Sequence, residues 1–307
     1  MSNLYSVAGV SKQAYFKSLK RAESKEVKMQ KVVLNFINIR KHHKRMGCRK
    51  MMHVPGYHFP VGRDLAEQIG FANGFKLKRK RNPIKTTWSQ RVEVFPNLID
   101  GIVIDNINQV WQSDIFYLYI QDKIFYGIGI IDLYSRYILA LHLSNNLSAE
   151  QNVKALQKAL ILRGKHSVKD CIFHSDRGSQ YISKTHKAIL HEHQMKISMC
   201  KTPQENAYAE RLNGILKNDY FYPKECSSES LPRLAKTILR LYNYERPHQK
   251  LNNMTPVAFE HMIQNMVDNE RPKMHIHQWN TVLSTEYQVV NKEKSSKKEN
   301  LPNTKHP

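Results

Sequence analysis

The segment Val110-Trp111-Gln112-Ser113-Asp114-Ile115-Phe116-Tyr117-Leu118-Tyr119 constrains the fold more than any other part of the chain. It is rich in aromatic and β-branched residues, which predicts a strand, and a strand must find neighbours. They follow at once: Gln121-Asp122-Lys123 offers a turn into a second strand from Ile124 to Asp132, and Leu133-Tyr134-Ser135-Arg136 leads into a third from Tyr137 to Leu143. Asp114 sits inside this apolar run. An isolated buried carboxylate is costly unless it is paired or coordinates a metal, whereas an Asp on an edge strand facing water needs no partner. Both readings stand at this point.

Beyond the hairpins the periodicity changes. Ser148 is placed to cap a helix running to about Arg163, with Val153, Leu156, Leu160 and Ile161 at helical spacing, and Gly164 ends it. Cys171 to His174 reads as a short strand ending at Asp176. A helix around Lys184 to His193 and a strand from Lys196 to Met199 follow. Three antiparallel strands, then helix, strand, helix and strand, is by analogy the order of an α/β ribonuclease-H-like core: a mixed five-stranded sheet with flanking helices.

The N-terminal part reads as helical. Ser11 is an N-cap candidate before Tyr15, Phe16 and Leu19, and a turn at Gly9 followed by a capped basic helix is how the second half of a helix-turn-helix looks. A second helix is expected from Lys25 to about Lys44, and a third from Gly62 to about Phe71. Residues Lys78, Arg79, Lys80 and Arg81, before Pro83, form a run of like charges suited to lie along a phosphate backbone. Near the C-terminus, Leu231 to Tyr244 reads as a helix, and from about Asn265 the composition turns polar. The expected organisation is a basic helical DNA-binding region and linker over 1–100, a catalytic core over 101–264 and a polar, mobile tail over 265–307.

Charge supports that division. The chain carries a formal net charge of +22 over 307 residues. Residues 1–100 hold 21 lysines and arginines against 6 acids, while residues 101–264 hold 20 against 15. A basic footprint of this kind fits a polyanion. No apolar run reaches the roughly 18 residues of a membrane span, and the N-terminus lacks the basic-then-apolar pattern of a secretory signal. Both point to a cytoplasmic, nucleoid-associated protein. Cys48, Cys171, Cys200 and Cys226 form no CxxC pair, so neither a zinc ribbon nor a disulfide framework is expected.

Three acids attract attention as a set. Asp176 ends a strand, where open α/β sheets place ligand sites, although an Asp before Gly is also an ordinary turn residue. Glu210 lies on a helix expected from Asn206 to about Tyr220. Tyr208, Leu212, Ile215 and Leu216 share the side expected to face the core; Asn206, Glu210, Asn213 and Lys217 fall on the other, within roughly a sixth of a turn. Two divalent ions held by a few carboxylates can position a scissile phosphate, activate an oxygen nucleophile and stabilise the leaving oxygen.

Four segments then resemble a known family: Trp111 to Ile115 (WQSDI), His174 to Tyr181 (HSDRGSQY), Asn206 to Lys217 (NAYAERLNGILK) and Tyr244 to Leu251 (YERPHQKL). Together they resemble the second-frame transposases of the insertion sequence three family, a branch of the DDE and retroviral-integrase superfamily, over about residues 5–260. The resemblance implies a metal-binding catalytic triad of Asp114, Asp176 and Glu210, with Mg2+ as cofactor and Mn2+ as a substitute. It implies a basic residue at Lys217. Asn213, Asn206, Arg177, His174 and Arg211 are further candidate DNA contacts, beside Lys78, Arg79, Lys80 and Arg81. His174 reads more readily as a hydrogen-bonded histidine at a strand end than as a phosphate contact.

The implied function is a DNA transposase that cleaves and joins element ends by transesterification, with water and then a 3′-hydroxyl as nucleophile. Implied partners are the terminal inverted repeats, target DNA, further copies of the chain on DNA and the upstream-frame product as a frameshift fusion. A DNA-binding regulator or inhibitor with a poorly active core, and a ribonuclease-H-type nuclease for RNA·DNA hybrids, are the competing readings. One departure stands out. The second Asp and the Glu are 34 positions apart, about two short of the family's spacing, which contracts the loop Lys201-Thr202-Pro203-Gln204-Glu205. Glu205 is a neighbouring acid that would point about 140° away from the Lys217 face.

Overall fold

The computed structural model describes residues 11–77, 94–121, 123–222 and 228–278. The chain forms two compact units. One contains residues 1–89, 120–122 and 214–261, the other 90–119, 123–213 and 262–307.

The second unit is built on the sheet. Strands β2 (Val110–Ile120), β3 (Lys123–Asp132), β4 (Ile138–Ser144), β5 (Ile172–Ser175) and β6 (Lys196–Met199) lie in the order β4-β3-β2-β5-β6. β3 and β4 run antiparallel, whereas β5 is parallel to both β2 and β6. This is the ribonuclease-H-like arrangement expected from the order of elements. Parallel neighbours require crossover helices, supplied by α4 (Ala149–Arg163) and α5 (Lys184–Glu192). The core gathers Trp111 and Phe173 from adjacent strands, Ile128 and Ile130 from β3, and Ala155, Leu156 and Ala159 from α4.

Most boundaries fall within a residue or two of expectation, but the helix faces differ in detail. Ile161 was expected in the core and is 83% exposed, because the buried face of α4 runs through Val153, Leu156 and Leu160 and the next residue is turned about 100° away. Ser148 sits at the N-cap of α4, yet its side chain makes no capping hydrogen bond. Gly164 does end the helix, with φ of 81°.

The tail reading needs correction. Met274 and His275 form β7, which pairs antiparallel with β1 (Val103–Ile104), and Tyr134 Oη donates to the Pro272 carbonyl at 2.8 Å. A buried residue, Ile276, was enough to anchor a segment whose composition is otherwise polar. Residues 279–307 lie outside the described part.

The other unit begins with a single helix, α1 (Lys12–His42), not two. Ser11 caps it, its Oγ accepting from the Ala14 amide at 3.1 Å. The expected break near residues 20–25 is absent, since that stretch contains neither Gly nor Pro. The Gly9 turn of the expected helix-turn-helix, like the Lys78–Arg81 arm, lies outside the described residues. The last third of α1 packs Val32, Phe36 and Ile39 against Met51 of α2 (Cys48–Met51) and Ala66 and Ile69 of α3 (Arg63–Ala72).

Residues 214–261 belong to this same unit, so the boundary expected at residue 100 and the single core expected over 101–264 are both revised. α6 (Ala207–Ile215) is followed by a π-helical stretch, Leu216–Phe221. There Asp219 pairs with the buried Arg246 at 2.8 Å, and Tyr220 Oη lies 3.1 Å from Nδ1 of the buried His43. α7 (Leu231–Arg240) and α8 (Pro256–Gln264) complete the unit. α8 was not expected, although Thr255 before Pro256 is a readable start signal: its Oγ1 accepts from the Ala258 amide at 3.2 Å.

Asp132 holds the turn between β3 and β4. Its carboxylate accepts from the backbone amides of Asn108 at 2.6 Å, Tyr134 at 3.0 Å and Ser135 at 3.1 Å. An orphaned buried donor costs about 1–3 kcal/mol. Asp132→Ala is therefore expected to lose about 3 kcal/mol or more in urea unfolding, and Asp132→Asn distinctly less.

Candidate active site

Strand register brings the first two acids together. β2 pairs with β5 as Val110↔Ile172, Trp111↔Phe173 and Gln112↔His174. Continued two residues further, the same offset sets Asp114 beside Asp176, with neighbouring strands about 4.8 Å apart. Both side chains are half-buried. Asp176 stands just past the end of β5, and its Oδ1 accepts from the Gly178 amide at 3.0 Å. Any Cβ at residue 178 would lie 3.0 Å from that oxygen and 2.9 Å from Gln180 Oε1, so glycine lets the turn close on the carboxylate.

Glu210 arrives on α6, which is tied to β2 by amide side chains. Gln112, fully buried, donates through Nε2 to the Glu205 carbonyl and accepts at Oε1 from the Ala209 amide, both at 3.3 Å. Asn206 Nδ2 donates to the Ser113 carbonyl at 3.3 Å. Asn213 Nδ2 donates to Asp114 Oδ2 at 2.7 Å. Asn206 and Asn213, expected among the DNA contacts on an outward face, are thus buried at 2% and 5% exposure. They fasten the helix and steady one acid. His174 has the geometry of the hydrogen-bonded strand-end histidine: it is fully buried, its Nδ1 is 2.8 Å from Ser198 Oγ, and burial pushes its pKa down to about 4. Tyr208 and Ile215, expected to face the core, are only half-buried.

The electrostatics single out these acids. Burial, and then the neighbouring charges of Asp176 and Glu210, raise the Asp114 pKa to about 7 against the hydrogen bond from Asn213. Burial also raises Asp176, opposed by the Gly178 amide. Glu210, although exposed, is raised by partial desolvation and by Asp176. Three carboxyls therefore feel one another's charge. Among the described residues, no three His, Cys, Asp or Glu side chains close into a ready-made metal cage. The donor set nevertheless fits a hard divalent cation, which takes a few carboxylate oxygens and completes its shell with water and phosphate oxygens.

Glu205 has a different task. It is buried, and its carboxylate accepts from Asn97 Nδ2 at 2.7 Å, the Lys201 amide at 2.9 Å and Thr202 Oγ1 at 3.2 Å. The contracted loop is closed around this acid, whose two oxygens are both engaged by it and by Asn97. Of the remaining candidates, Arg211 is exposed, and Arg177 is exposed with its Nε donating to the Cys200 carbonyl at 3.1 Å. Lys217 falls in the other compact unit. Gln112 escaped the sequence reading. The available signal was its position two residues before Asp114, on the same face of the strand.

Comparison with known proteins shows what the chain is similar to. Residues 105–204 and 191–256 match integrase core domain families. The insertion element IS600 uncharacterized 31 kDa protein of Shigella sonnei is 32% identical over 205 residues, covering 65% of this chain and 75% of that protein. Transposase InsF for insertion sequence IS3A of Escherichia coli K12 is 30% identical over 190 residues, covering 60% of this chain and 65% of that one. The HTLV-2 integrase catalytic core domain in complex with magnesium is 18% identical with a TM-score of 0.42, covering 51% of this chain and 98% of that one. The integrase core match and the insertion-element relatives give the class: DDE enzymes, which act on DNA phosphodiesters and generally use a divalent metal ion. Within it, the chain belongs to the insertion sequence three family of DNA transposases.

The raised Asp114 pKa has a consequence for stability. A carboxyl that holds its proton more tightly when folded favours the folded state below pH 4, and that contribution is lost as pH rises to about 7. In EDTA, Asp114→Asn should therefore melt above the wild type at pH 8, with the gap shrinking toward pH 4. At about 1.4 kcal/mol per pH unit the gap is on the order of a few kcal/mol. Equal melting curves at both pH values would show that Asp114 is not strained by its neighbours.

Proposed function

We propose that Asp114, Asp176 and Glu210 are the catalytic, metal-binding triad with which this transposase cuts and joins the ends of its element. The register that sets Asp114 beside Asp176, with Glu210 coupled to both, carries the reading. Asp114 stands on β2 and Asp176 just past the end of the neighbouring β5, two residues beyond the backbone pairing of Gln112 with His174. Glu210 is on an exposed helix face and completes the set when DNA is in place. Mg2+, with Mn2+ as a substitute, would be held by these three acids and would supply charge neutralisation at the scissile phosphate and activation of the attacking oxygen.

The other residues divide by burial. Asn213 holds the Asp114 carboxylate in one orientation, and Gly178 does the same for Asp176. Arg177 and Arg211, both exposed, are placed to meet phosphates, and Lys217 is the cation proposed for terminal DNA. Water is the nucleophile that frees a 3′-hydroxyl at the element end. That hydroxyl then attacks a target phosphate in line, displacing the 3′-oxygen of the next nucleotide without a covalent protein intermediate. The terminal inverted repeats, target DNA and further copies of the chain are the proposed partners, together with an upstream-frame product joined by frameshifting. A nucleoid location goes with them.

The test is a nicking and strand-joining assay on a duplex carrying the inverted repeat found beside the gene, with Mg2+ or Mn2+. Asp114→Asn, Asp176→Asn and Glu210→Gln are each expected to lose at least about 100-fold, the range associated with removing one preorganised electrostatic stabiliser. Nicking that persists in Asp176→Ala would remove it from the triad. A wild type that binds the repeat but never cuts it would favour a regulator with an inert core.

A further inference from the structure

The first half of α1 is out of contact with the core: residues 12–28 are all exposed. One face of it lines a groove of roughly 670 Å³, whose opposite wall is formed by Pro60, Val61 and Leu65 at the start of α3. Five cations line that groove, Lys17, Lys20, Arg21, Lys25 and Lys28, with Ser24 among them and no acid. None of the five makes an ion pair among the described residues. Glu23 and Glu26, the two acids of this stretch, lie outside the lining.

Five unpaired like charges on three turns of one helix repel each other, and spacings of three and four residues keep them on one side. From Lys17 to Lys28 the helix rises about 16 Å, the axial length of roughly five base pairs at 3.4 Å per step. Lysines are compact point charges, suited to phosphate oxygens and poorly suited to forked recognition of base edges. The wall opposite is apolar. We propose that this groove seats one phosphodiester strand of duplex DNA without regard to sequence, and that it is distinct from whatever element reads the terminal repeats. The proposal rests on the chain acting on DNA, as set out above, but uses none of the triad.

Binding of the full chain to labelled duplexes, one random and one carrying the element end, tests this by fluorescence anisotropy across a salt series. The triple variant Lys17→Ala, Lys20→Ala, Arg21→Ala should flatten the slope of log affinity against log salt by about 2 to 3, at about 0.9 per phosphate released. The loss should be the same for both duplexes. Lys17→Arg with Lys20→Arg should keep the wild-type slope, and removing Lys123, Lys169 and Lys184 from the sheet unit should leave it unchanged. Far-ultraviolet circular dichroism checks that the helix persists in each variant. An unchanged slope in the triple variant, or a loss confined to the element-end duplex, would overturn the proposal, as would displacement of the random duplex by an acidic peptide at equal charge concentration. If the wild type neither binds duplex nor nicks the element end, the transposase reading fails instead; if it nicks while the triple variant binds normally, the groove alone is refuted.

Discussion

The amide clamp between β2 and α6 is the constraint on which the candidate site depends. Gln112 spans the Glu205 carbonyl and the Ala209 amide, Asn206 reaches the Ser113 carbonyl, and Asn213 reaches Asp114 itself. Buried amides are costly when unpaired and specific when paired. A hydrophobic contact would let the helix slide along the sheet by fractions of a turn. Directional bonds to three successive residues of one strand fix its position, and with it the height at which Glu210 stands relative to Asp114. The clamp thus converts a sheet carrying two acids into a site carrying three.

The acids themselves oppose that assembly. Each is pushed toward its protonated form by desolvation, and Asp114 and Glu210 also by neighbouring carboxylates, most strongly Asp114. The surrounding donors soften that strain without removing it. Gly178 gives one hydrogen bond to the Asp176 carboxylate, and Asn213 and the Ile115 amide each give one to that of Asp114. Asp132 and Glu205 show the contrast. Each accepts three hydrogen bonds from the chain around it, and both organise turns instead of presenting charge. Burial alone does not mark a functional acid; unsatisfied lone pairs beside other acids do.

The unit containing the N-terminal helices is organised by a second set of polar contacts. His43 at the end of α1 lies between Tyr220 and Glu245, and Arg246 is buried against Asp219. In the segment Tyr244 to Leu251, Arg246 is an internal tie, since a guanidinium at 5% exposure cannot reach a phosphate without leaving its partner.

The order of strands and helices and the sheet class were legible in the sequence, because strand composition, helix periodicity and cap residues are local signals; the three acids came from the same reading and stand as the proposed triad. Local chemistry also marked Ser11 and Gly164 correctly. What the sequence left undecided was which polar side chains turn inward. Asn206 and Asn213 read as outward, DNA-facing groups, and only the packing of α6 against the sheet made them buried braces; between the two readings of His174, the Ser198 hydroxyl on β6 supplied the hydrogen-bond partner. The extent of α1, the pairing of Met274 and His275 with β1, and the placement of residues 214–261 with the N-terminal helices were likewise decided by tertiary structure. Each depends on contacts between residues far apart in the chain, such as His43 with Tyr220 or Asn213 with Asp114, and no local pattern encodes the partner at the other end.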